Sequence, residues 1–232
     1  MLFPFTYASY QFIQEKKANA PKGYIFPSIS DMKITLVSSV IFAILEISMR
    51  KLFYFIFIPF CKEQNDVKIR HLKSEKGAFC MFKVVYFAWA SAWGYYVLKD
   101  TYYLPPALGG RGDLSISFKE FPYANHVPQL KEYLLITMGY HVGGLFTHFF
   151  GTRRNDFLEM GLHHIVSIYL FGGCYLLNVW ECGSVIALLH DIADITTNVT
   201  KFLAESRFKI PLVIVFLVHM CIWFYTRNFL LP

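Results

Sequence analysis

The chain has 232 residues, of which 55% are hydrophobic and only 16% charged, well under the roughly 25% charged residues of soluble domains. Its mean hydropathy is +0.40 and its net charge +6. These values exclude an ordinary soluble domain, and the length leaves no room for a separate soluble module. They also exclude a nucleic-acid role, because the basic residues sit in short stretches between apolar runs and fit anionic lipid or an anionic substrate.

Residues 1–31 contain Pro4, Pro21 and Pro27 among aromatics and read as an extra-membrane segment with a short interfacial helix. The N-terminus has no basic n-region and no long apolar h-region, so a signal peptide is not expected. Residues 32–232 read as one transmembrane domain with six spans. The first is Met32–Phe60, interrupted by Glu46, Arg50 and Lys51, and Cys61–Lys76 follows as a basic loop. Phe79–Leu98 is the second span, with Trp and Tyr near its end as at a membrane interface. Asp100–Gln129 is a long connection, too polar to cross a bilayer. The remaining spans are Leu130–Phe150, Gly161–Asn178, Gly183–Val199 and Ile210–Leu231. Three short loops, Cys61–Lys76, Gly151–Met160 and Thr200–Lys209, carry ten Lys and Arg and are placed on the cytosolic side. The five cysteines are odd in number and lack a CxxC pair, so they read as buried thiols rather than a disulfide or zinc framework.

The chemistry concentrates in Arg153–Lys201. His163 and His164 open the fourth span, and His190, Asp191 and Asp194 lie in the fifth. An ionisable group at membrane depth costs about 2.5–3.5 kcal/mol on insertion scales, so a shared site is the default reading. A buried hydrogen-bonded network pinning helices is the plainer alternative. On a helix, residues three and four apart share a face. His190, Asp194 and Asn198 therefore form one stripe with Asp191 beside it, and Ser167 falls on the face of His163 and His164. The connection Val179–Cys182 is short enough to make the two helices antiparallel neighbours. Counting back from it at about 1.5 Å per residue sets His164 and Asp194 at similar depth, which predicts stripes facing a common cavity. His141, His148 and His219 are read as packed core residues. A di-iron reading fails because no HxxxH or HxxHH spacing occurs.

Arg153-Arg154-Asn155-Asp156-Phe157, then His163-His164, then His190-Asp191-Ile192-Ala193-Asp194 and Lys201 form an ordered set. It resembles the TLC-domain proteins, and among them the ceramide synthases, with weaker similarity from about Met32 to Pro232. Two positions depart from that pattern. Asn198 stands where the family has Glu, and the family continues past the Arg–Pro helix end, here Arg227 to Pro232, with another span.

The resemblance implies an all-α polytopic membrane protein whose six helices form a TLC-like barrel lacking the final family helix. It implies transfer of a fatty acyl group from acyl-CoA to a long-chain base, with no metal. His163 or His164 would act as base or transient acyl acceptor, Asp191 and Asp194 would orient and stabilise the histidines, and His190 would be a further polar partner. Arg153, Arg154, Lys201, Arg207 and Lys209 would receive the CoA phosphates. It places the protein in the endoplasmic reticulum, with a mitochondrial or other organellar membrane as the alternative. The competing expectation is an inactive lipid-binding or structural subunit, with another membrane subunit covering the flank that the missing helix leaves open.

Overall fold

A computed structural model describes residues 7–119, 121–151 and 157–230. Every element of regular structure among them is helical. α1 is Tyr7–Ala18, α2 Met32–Phe57, α3 Val67–Leu98, α4 Ile116–Lys119, α5 Leu130–Phe150, α6 Phe157–Leu176, α7 Trp180–Glu205 and α8 Lys209–Asn228. The six apolar runs of the sequence are the six long helices. Among the described residues, two segments are long and apolar enough to cross a membrane by length and composition, Ile29–Phe60 and Lys209–Asn228. In α6 the His163–His164 pair lowers the mean hydropathy, and in α7 His190, Asp191 and Asp194 do so. α2 and α8 also leave large apolar side chains uncovered, among them Val37, Ile41 and Phe55, and Ile210, Ile214 and Leu217.

The basic stretch Cys61–Lys76 is not a loop, because α3 begins inside it at Val67. Its start is set by Asp66, whose carboxylate accepts the backbone N–H of Ile69 at 3.0 Å. An aspartate in that place satisfies one of the unpaired N–H groups of a first helical turn. The connection before α7 is also shorter than the spacing implied. Asn178 takes φ +60°, its N–H donates to the Tyr175 carbonyl, and the Val179 N–H donates to the Cys174 carbonyl. These paired bonds close α6 and turn the chain within three residues.

The chain divides into two compact units, and the division falls within α2, α3 and α7. The first runs to Ala43 and resumes over Gly94–Ala187. In it α5 packs against α6. The N-terminal half of α2 meets α5 across Gly139 and Gly143, four residues apart. A Cβ at Gly143 would lie 2.5 Å from the Ser39 carbonyl oxygen, and one at Gly139 would strike the Ser38 hydroxyl. The Thr35 hydroxyl donates to the Leu135 carbonyl at 3.0 Å beside them. Small residues at this spacing let two backbones approach, the device that holds helices together where the hydrophobic effect is absent.

The connection before α5 is anchored by a buried polar group. His126 reaches Glu181 Oε1 at 2.7 Å through Nδ1 and Asn178 Oδ1 at 3.0 Å through Nε2. The Asn178 amide donates to the carbonyls of Ile25 and Pro122, which fixes its oxygen toward the ring. His126 thus bridges the Glu181 carboxylate and the Asn178 amide oxygen, one ring nitrogen to each. It stacks on Trp180 with ring centroids 3.8 Å apart.

The second unit comprises Ile44–Trp93 and the chain from Leu188 onward. A bridge between Cys61 and Ser206 ties the α2–α3 connection to the α7–α8 connection. The Lys62 N–H donates to the Glu205 carbonyl, and the Arg207 N–H to that of Phe60. The Glu205 carboxylate accepts Lys76 Nζ at 2.7 Å and lies 3.3 Å from Lys62 Nζ. Below it Phe57 meets Phe202 edge-on, and Gly77 leaves the space that the Phe57 ring fills.

Candidate functional site

In the first unit, α5 and α6 bring histidines together. His164 is buried, and its Nδ1 lies 3.3 Å from Nδ1 of His141, which is also buried. Each neutral imidazole has one N–H, so one ring donates and the other accepts. The pair therefore fixes opposite tautomers. When His164 donates from Nδ1, its Nε2 is the unprotonated ring nitrogen, the form that a base or nucleophile requires. Gly144 makes room for the ring, since a Cβ there would fall 2.8 Å from His164 Cε1. His163 sits beside the pair, 5.7 Å from His141 by ring centroid, on an exposed position. Ser167 does not serve either imidazole through its hydroxyl, which donates to the His163 carbonyl at 2.8 Å. His148 donates from Nε2 to the Phe157 carbonyl at 2.8 Å and stacks on that ring.

His141, read from the sequence as a packed core residue, is buried and is the hydrogen-bond partner of His164. The signal available was Gly143-Gly144, two and three residues after it, which allow close approach of another helix.

In the second unit, α7 presents His190, Asp191 and Asp194. Asp191 is buried. His190 Nε2 pairs with Nη1 of Arg227 on α8. A guanidinium only donates, so His190 accepts through Nε2 and carries its proton on Nδ1. Asp194 lies in the field of three cations, Lys83, Arg227 and Lys201. Lys83 is 9% exposed and sits over the Phe79 ring at 4.5 Å, so a buried cation on α3 accompanies the carboxylate. Asn198 turns its amide back onto the Asp194 carbonyl at 2.8 Å. His219 meets the Thr196 hydroxyl at 3.1 Å.

Sequence reasoning missed Lys83, a single charge inside an apolar run, and read Arg227 only as a helix end. Of the residues expected to receive phosphates, Lys201, Arg207 and Lys209 are exposed, with Arg207 beside the rings of Phe60 and Phe208. Arg153 and Arg154 lie outside the described residues. Among the described residues no three His, Cys, Asp or Glu side chains are arranged to hold a metal ion.

The two sets carry distinct chemistry. The α5–α6 histidines offer a buried imidazole pair that can accept a proton, and the α7–α8 set offers carboxylates with balancing cations. Residues 77–232, which contain both, match the family model described as TLC domain. The chain is 31% identical over 115 residues to ceramide synthase 4 of Bos taurus, covering 50% of this chain and 29% of that protein. It is 24% identical over 215 residues to ceramide synthase hyl-2 of Caenorhabditis elegans, covering 88% and 62%. It is 25% identical over 197 residues to sphingosine N-acyltransferase lac1 of Schizosaccharomyces pombe, covering 77% and 48%. The chain therefore spans less than two thirds of the length of each of these relatives. With the family model covering well over half of its residues, this chain belongs to the TLC-domain family.

Proposed function

We propose that the chain is an integral membrane N-acyltransferase that moves a fatty acyl group from acyl-CoA to the amine of a long-chain base. The observation that carries this reading is the buried His164, paired through Nδ1 with His141 inside the matched domain. In this reading the amine nitrogen attacks the thioester carbonyl, the new C–N bond forms, and the C–S bond breaks. His164 takes the proton from the amine and returns it to the departing thiolate. Asp191 and Asp194 supply the charge and orientation that the motif implies, His190 is their polar partner, and His163 is the alternative base. Arg153, Arg154, Lys201, Arg207 and Lys209 meet the CoA phosphates. Residues 32–232 form the membrane domain with six spans in a TLC-like barrel, and residues 1–31 lie outside it. The exposed apolar faces of α2 and α8 support membrane residence, since such faces are tolerated in hydrocarbon and invite aggregation in water. Endoplasmic reticulum is the location that the resemblance supports.

A second reading, a lipid-binding membrane subunit without turnover, is favoured by Asn198, a neutral amide where the resembling family has a carboxylate. The deciding experiment reconstitutes the full chain in lipid and follows amide formation from acyl-CoA and a long-chain base by mass spectrometry. Product that falls about 10²-fold or more in His164→Ala and in Asp194→Ala supports the acyltransferase. No product from a folded wild-type chain overturns it in favour of the second reading.

A further inference from the structure

The second unit holds a half-open groove of about 390 Å³ between the C-terminal half of α2 and the first turns of α3. Arg50, Lys51 and His71 line it, with Tyr54 and the apolar side chains of Ile47 and Phe55. Glu75 also lines it, 3.9 Å from His71 Nδ1. Arg50 is held in place by Glu46 at 3.5 Å and by the Phe79 ring at 5.1 Å. Lys51 is exposed and projects from the same helix face region as exposed Ile47, Leu52 and Phe55. All these lining residues precede residue 77, outside the segment that matches the family model.

The setting of Lys51 decides what the groove takes. Ile29–Phe60 is a candidate span, and its outward side chains around Lys51 are apolar. A lysine among lipid-facing side chains is costly unless it reaches an anionic group. A cationic cleft walled by an aliphatic and an aromatic side chain matches a phosphate joined to acyl chains. We propose that this groove binds the phosphate of an anionic phospholipid. Arg50 and Lys51 contact the phosphate oxygens, His71 and the Tyr54 hydroxyl donate to them, and Ile47 and Phe55 flank the first carbons of the acyl chains. The inference rests on the reading of α2 as a membrane span.

The test places the full chain in nanodiscs of phosphatidylcholine containing phosphatidylinositol and measures the lipids retained after transfer to mild detergent, by native mass spectrometry. Wild type should retain phosphatidylinositol in preference to phosphatidylcholine. Lys51→Gln and Arg50→Gln should each weaken that retention about fivefold, the effect expected for one cation at an anionic lipid surface. Lys68→Gln, an exposed lysine that does not line the groove, should leave it unchanged. Equal retention of both lipids, or undiminished retention in Lys51→Gln, overturns the site. Displacement of the lipid by inorganic phosphate alone overturns the lipid as its ligand and leaves a free-phosphate site. Alkaline extraction of the membranes checks the span separately: release of the chain refutes the membrane reading, whereas a retained chain without lipid preference refutes only the groove.

Discussion

His141 on α5 and His164 on α6 face each other Nδ1 to Nδ1 at 3.3 Å, both buried. A hydrogen bond between two neutral imidazoles admits only opposite tautomers, so the tautomer of one ring dictates which nitrogen of the other carries the proton. His141 is therefore a positioning residue for His164 in the proposed reaction. Replacing His141 with Ala should lower kcat about tenfold or more, equivalent to about 1.4 kcal/mol of transition-state stabilisation, with a smaller change in KM. His141→Asn, which can still hydrogen-bond, should recover part of the loss. A pH–rate profile unchanged in His141→Ala, with kcat intact, would show that the pair plays only a packing role.

Gly144 controls the same ring by space. Its missing Cβ would stand 2.8 Å from His164 Cε1, 3.3 Å from Nε2 and 3.4 Å from Nδ1. Gly144→Ala should push the imidazole off His141 and reduce amide formation as far as the His141 variant does. Its cost in stability should be about 1–3 kcal/mol, as for overpacking a core. Gly172→Ala is the control, because its nearest neighbour, Met138 Sδ, is at an ordinary 3.5 Å. Thermal unfolding and turnover measured on both variants separate the two effects.

Gly143 controls the approach of α2. A side chain there meets the Ser39 backbone carbonyl, which cannot rotate away. Gly143→Leu should separate α2 from α5 and break the Thr35–Leu135 hydrogen bond. The expected result is a lowered Tm in detergent and faster proteolysis of the α2 segment. A Tm equal to wild type would mean that the close approach contributes nothing.

Glu205 should make stability pH-dependent. Burial alone would raise its carboxyl, but the hydrogen bond and charge of Lys76, with Lys62, outweigh it and hold the group below the ordinary glutamate value of 4.5. A group depressed in the folded state contributes stability that is present above its unfolded pKa and disappears as pH falls through the folded value. The contribution should therefore persist at neutral pH and be lost on acidification below 4.5. Glu205→Gln should cost about 1 kcal/mol at pH 7, modest because the lysines are half-exposed. Unfolding midpoints of wild type and variant should converge in acid; parallel curves at every pH would refute the pairing.

Much of the fold is legible in the chain itself. The six long, mainly apolar runs are long helices, because a helix satisfies the backbone of such a run within itself. The ordered histidine and carboxylate motifs mark the TLC-domain family, because each position is a local fact of type and spacing. Helix starts were less legible. Asp66 caps α3 inside a stretch whose charges resemble a loop, and the Asn178 turn shortens the link before α7. What the sequence could not decide is which side chains meet across helices. His141 lies 23 positions from His164, and Lys83 and Arg227 lie far on either side of Asp194. Helical periodicity assigns each to a face of its own helix, but carries no information on which face of another helix it will touch. That choice is made by close packing, where the absence of a Cβ at Gly139, Gly143 and Gly144 sets how near the neighbouring helices come and hence which polar atoms come within reach of a hydrogen bond.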